Sequence, residues 1–372
     1  MTAKDPSERV RLLCSEASRM TDGPQKVEIL EEAVRIADLH QDLELSYDAR
    51  QALIEGAMFS GFPDRMLVAY AWCLAQFDRD PERFDAHHIH WCYKWVLSVL
   101  DLFPGVSRAK IEATFEDAFR RFRERGYSPR PVHEYRALTA AAMGDDALAR
   151  EHYKKWNDAP RDYLADCAAC DAGNRIEFLV DQDRDEEAVQ TARPLVLRRL
   201  SCHEQPHRAF CYLPLPLLRL GQAAEGIPLY LHAVRKAGTN PNMLNAVSRL
   251  LDFAVLTENL TRAVRLAEKH VRNAFESPVP RFRWEFLLSL RLLFARLAET
   301  RPKGLKFRLP KGHPLARPDA LPPAELLAWC DGELDGLARA FDARNGNDAF
   351  TRRRAAHREL ARHASPFPIS KA

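Results

Sequence analysis

The chain has no run approaching the ~20 consecutive apolar residues needed to cross a bilayer. Its densest apolar stretch, "WEFLLSLRLLFARLAE" at 284–299, is broken by arginines at helical spacing. A secretory leader is not expected either, because "MTAKDPSERVRLLCSEASRM" lacks an uninterrupted apolar core. Charge of one sign is also missing. With 55 Lys and Arg against 52 Asp and Glu, the net charge of +3 is too small to argue for nucleic acid or a membrane surface. Strand signals are sparse. Glycine-rich phosphate loops, G-x-S-x-G elbows and H-E-x-x-H helices are absent. These absences point to a cytoplasmic, helical, non-catalytic protein of 372 residues. In that compartment the eight cysteines are expected to be reduced.

What the sequence does contain is self-similarity. Gly144, Ala149, Tyr153 and Trp156 share their offsets with Gly221, Gly226, Tyr230 and Ala233. Asp183, Ala188, Ala192 and Leu195 form a third copy, and Glu258, Ala263, Ala267 and His270 a fourth. Small or apolar residues three and four apart share one helix face, and the first residue of each set falls in the turn before that helix. Weaker copies begin at Pro24, Gly61 and Val106, so the anchors 24, 61, 106, 144, 183, 221 and 258 lie 37 to 45 residues apart. That period accommodates two helices and two short turns.

The pattern resembles the tetratricopeptide repeat over about residues 10–275, most closely from 130 to 270. It departs from the repeat's ~34-residue period and mostly lacks the early aromatic and closing proline. The resemblance implies an all-α, superhelical solenoid of stacked antiparallel helix pairs over 1–299. Helix 282–299 extends the array. A proline-rich, basic linker or strap follows at 300–323, then a helical C-terminal cap at 324–372. Within that cap, 324–342 is amphipathic, Asn345-Gly346 marks a turn, and 348–363 is an Arg-rich helix.

Five cysteines, Cys14, Cys73, Cys92, Cys211 and Cys330, sit in apolar helical surroundings and read as core. The others form the pattern C-x2-C-x31-C-x4-H, made by Cys167, Cys170, Cys202 and His207. Residues 167–170 open the first helix of the Asp183 repeat, and one 38-residue period later comes 205–208. Neighbouring repeats set equivalent positions about 8–10 Å apart, which predicts a structural zinc bound by three sulfurs and an imidazole. Helix N-termini are expected to depress the thiol pKa values. The alternatives are separate thiols packed at helix starts and a redox-active dithiol, with His203 and Cys211 as spare ligands. The cysteine doublet is similar to one in bacterial tetratricopeptide-like proteins, a resemblance that supplies no activity.

In "DAHHIHWCYKW", 85–95, His87 and His90 share a helix face with Asp85 nearby. A metal role competes there with aromatic packing. His87, His90, Trp91, Lys94 and Trp95 are candidate partner contacts, because aromatic and cationic groups supply much of the energy in binding grooves. First-helix positions expected on the concave side are Asp48, Gln51, Glu55, Tyr93, Glu134, Glu177, Asn245, Ser248, Arg249 and Asp252. Acidic residues at several of them speak against the carboxylate clamp of some tetratricopeptide domains. Asn245 and Arg249 form a local polar pair and complete the partner-binding set.

Three functions follow in order of preference. The first is a scaffold or adaptor binding a peptide or protein. The second is a nucleic-acid-associated regulator using the basic stretches "KGLKFRLPKGH" and "TRRRAAHREL". The third is an enzyme or an accessory subunit of one.

Overall fold

Proline at the first helical position and Asp or Ser side chains at N-caps start most helices, because both answer the unsatisfied N–H groups of a first turn. The computed structural model describes residues 5–302 and 304–369. The first helices are α1 (Pro6–Arg19), α2 (Pro24–His40), α3 (Leu43–Ser60), α4 (Pro63–Arg79), α5 (Ala86–Leu97) and α6 (Arg108–Glu124). The middle holds α7 (Arg130–Met143), α8 (Asp146–Asp158), α9 (Ala168–Asp181), α10 (Asp185–Val196), α11 (Ala209–Tyr212), α12 (Pro214–Arg219) and α13 (Ala223–Ala237). Then come α14 (Leu244–Leu256), α15 (Leu260–Glu276), α16 (Pro280–Thr300), α17 (Pro323–Asn345) and α18 (Ala349–Glu359). The architecture is all-α, with most helices packed on their neighbours in sequence. No described helix is long and apolar enough to cross a membrane.

The repeat anchors have a common backbone cause. Gly61, Gly144, Asp183, Gly221 and Glu258 all adopt positive φ, the left-handed turn that ends a helix. Behind each turn the small repeat residues are sealed in the core: Ala149, Ala188 and Ala263 have no exposed surface. Tyr153 stacks on Phe178 with ring centroids 4.2 Å apart, which locks α8 to α9.

Contacts between distant parts of the chain define the interior. Asn240 donates to the Phe59 carbonyl at 3.0 Å, a pair 181 residues apart. Gly61 presses so closely on residues 241–242 that an added Cβ would lie 2.6 Å from the Asn242 nitrogen. Arg281 of α16 pairs with Asp101, between α5 and α6.

The C-terminal helices lie against these elements. Arg344 donates to the carbonyls of Asp101, Phe103 and Val106. Arg353 caps the last carbonyls of α7 at Ala141 and Ala142. His357 Nε2 meets Asp252 at 3.0 Å. Between α16 and α17, Leu305 bridges to Leu321 and Phe307 buries its ring against Phe294. Lys303, the first residue of the basic stretch, lies outside the described residues.

Candidate metal centre and the cavity behind it

Cys167 is the N-cap of α9, and its sulfur accepts from the Cys170 amide at 3.4 Å. One turn on, Gly173 lets another segment approach: a Cβ there would sit 2.2 Å from the Gln205 side-chain nitrogen. Gln205 is buried, its Oε1 accepts from Ala209 N, and its carbonyl accepts from Cys202 N at 3.0 Å. The loop before α11 is therefore clamped on α9, and it carries Cys202 to Cys170, sulfur to sulfur 3.5 Å. All three sulfurs lie within 4.8 Å of one another. Metal–thiolate bonds of ~2.3 Å about a tetrahedral ion place sulfurs roughly 3.8 Å apart. A disulfide needs only ~2.05 Å. The trio is spaced to hold a metal ion.

His207 does not join it. The first helix of this repeat starts only at Ala209 and is interrupted at Pro214, so 202–208 is a loop rather than a continuous helix face. His207 stays half-buried, where burial and the charges of Arg208 and nearby histidines push its pKa down to about 4. His203 and Glu204, beside Cys202, line the same cavity as the cysteines. Cys211 is buried and donates to the His207 carbonyl. The thiols of Cys170 and Cys202 depart from expectation too. Burial first, then the neighbouring Cys202 and Cys167, push the Cys170 thiol well above its ordinary value. Burial also raises Cys202. The helix N-terminus does not overcome three crowded sulfurs; a cation between them would.

Behind the trio lies a cavity of about 330 Å³, within the size range of small-ligand pockets. Its α9 wall is the stripe Cys170, Asn174, Glu177 and Asp181, spaced to fall on one helix face. Trp91 and Trp95 of α5 form an aromatic wall with Phe59, whose ring meets Trp95 edge-on at 5.5 Å. Asn245 of α14, with Arg281 and Glu285 of α16, completes the lining.

The remaining candidates separate into wall and core. Lys94 is fully buried, bonded to Asp166 at 2.6 Å and to the Leu164 carbonyl at 2.7 Å, with its ammonium 3.3 Å from the Trp91 ring centre. Tyr135 donates to the other Asp166 oxygen. Lys94 thus anchors the segment leading into Cys167. His90 is buried among Phe77, Phe122 and Tyr127, with Nδ1 on the Ala86 carbonyl. His87 is exposed between Trp91 and Tyr163, and Asp85 is occupied in capping the His87 amide. Asn245 is buried on the cavity and donates to Tyr212. Arg249 pairs with Asp181 at 2.7 Å.

Sequence reasoning missed Asp166, Arg208, Arg281 and Glu285. Arg281 and Glu285, four apart on α16, carried a helical-pair signal. In the Arg-rich terminal helix, Arg353, Arg354 and His357 are engaged inside the fold, with Arg354 on Asp331 and Asp335. No protein-family model matches the chain, and no curated protein matches it.

Proposed function

We propose that the protein is a non-catalytic, tetratricopeptide-like solenoid that captures a segment of a peptide or protein in this cavity, with a structural zinc at its edge. The observation that carries the reading is the origin of the cavity wall. Trp91 and Trp95, the α9 stripe, Asn245 and Arg281 come from helices far apart in sequence. A curved stack of helix pairs produces such a wall, because each first helix contributes one strip to a common concave face. Mixed aromatic and polar linings suit a short segment whose side chains are read individually.

Zinc fits the three thiols, which supply three of the four ligands of a tetrahedral site. The ion would join α9 to the loop after α10 and set the shape of the cavity's edge. Its contribution is to folding, since metal held by ligands from two segments stabilises the arrangement that brings them together.

Panning a random-peptide library against the chain tests the reading. Enriched peptides should compete with one another and lose at least about tenfold in affinity against Ser98→Trp, which fills the cavity from its wall. Peptides that bind the variant equally well would remove the cavity from the proposal.

A further inference from the structure

Around the cavity the lining carboxyl groups outnumber the cations paired with them. Asp101 and Glu285 share Arg281, Asp181 takes Arg249, and Asp166 takes Lys94. That leaves Glu177 and Glu204 facing Arg208. Arg208 has its own acceptor, the Asn242 carbonyl at 3.2 Å. Among the described residues Glu177 has no hydrogen-bond partner; it feels Arg208 and Arg281 only as charges, and Asp181 and Glu285 as like charges.

A second, independent observation lies on α14. Asn245 is 5 % exposed and lines the same space, yet its Oδ1 has no hydrogen-bond partner. A buried acceptor without a donor is destabilising, and a ligand bearing N–H groups removes that penalty. Two unpartnered acceptors, more carboxyl groups than paired cations and the ring of Trp95 ask for the same chemistry. A cation with several N–H donors satisfies all of them.

We propose that this cavity is a recognition pocket for a guanidinium or primary ammonium group, bonded by the Glu177 carboxylate and Asn245 Oδ1. The group belongs either to an arginine or lysine side chain of a peptide or to a free diamine or guanidine. The peptide source rests on the scaffold reading above; the free-amine source does not.

Isothermal titration of the full chain decides between these. The probes are agmatine, a blocked pentapeptide with a central arginine, and the same pentapeptide with citrulline, which keeps the shape without the charge. At least one arginine-type probe should bind, and citrulline should be weaker by tenfold or more. Glu177→Gln should weaken the charged probe by a similar factor. Asn245→Asp adds a carboxylate at the same point and should tighten it, an effect opposite in sign to damage to the fold. Binding of the pentapeptide alone assigns the group to a peptide, and binding of agmatine alone to a free amine. Equal binding of citrulline, or no tightening by Asn245→Asp, overturns the proposal. So does failure of all the probes. If neutral peptides selected by panning still compete for the cavity, the scaffold reading survives that failure; if none do, both fall.

Discussion

His270 occupies the last repeat position on α15, has no exposed surface, and neither ring nitrogen finds a partner. Burial pushes its pKa from 6.5 down to about 4. Between those values the unfolded chain binds a proton that the folded chain refuses, so stability is lost as pH falls from about 6.5 towards 4. The equivalent residue of the Asp183 repeat is Leu195, fully buried and apolar. His270→Leu should therefore stabilise the protein by about 1–3 kcal/mol at pH 7 and by more at pH 5, read from urea unfolding midpoints. A destabilised variant would mean that the ring is bonded in solution. Lys94 shows how the same scale decides a role: its charge is spent on Asp166 and Leu164, so it holds the cavity wall in place.

Helix turns make the next set of constraints. Gly144 and Gly221 share a left-handed φ but not their surroundings. A Cβ at Gly221 meets open space, whereas one at Gly144 would lie 2.3 Å from Ala349 Cβ in α18. Gly221→Ala should cost only the left-handed strain, about 1–2 kcal/mol. Gly144→Ala should cost ~1–3 kcal/mol more, the range for overpacking. Thermal unfolding of both variants measures the difference, and equal losses would show that α18 does not rest on α7. Asp183 and Glu258 perform the same turn without glycine, which is why the repeat remained readable there only through its alanines.

The same turns explain what could be read in advance. Local periodicity placed α16 within two residues of its ends and α17 within three at its C-terminus, because helix-breaking residues bound both. The thiols were legible because α9 begins at its N-cap cysteine, one repeat away from Cys202. His207 was misjudged because Pro214 shortens the following helix, and the loop winds differently from the neighbouring helix start. The packing of α18 on α7 and α14 had no local signal. It depends on pairs such as Asn347 with the Met143 carbonyl, 204 residues apart.

At the scale of the whole molecule, the cavity exists because segments far apart in sequence close on one another, and the cysteine trio lies in that closure. Burial and crowding raise the thiol pKa values of Cys170 and Cys202, and a divalent cation among the three sulfurs reverses the sign of that effect. A metal ion is expected to join α9 to the 202–208 loop. Elemental analysis of purified chain tests it most directly. About one zinc per chain is predicted, retained by Cys211→Ser and His207→Ala and lost from Cys170→Ser. Zinc at background level in the unaltered protein, or full occupancy in Cys170→Ser, would contradict it.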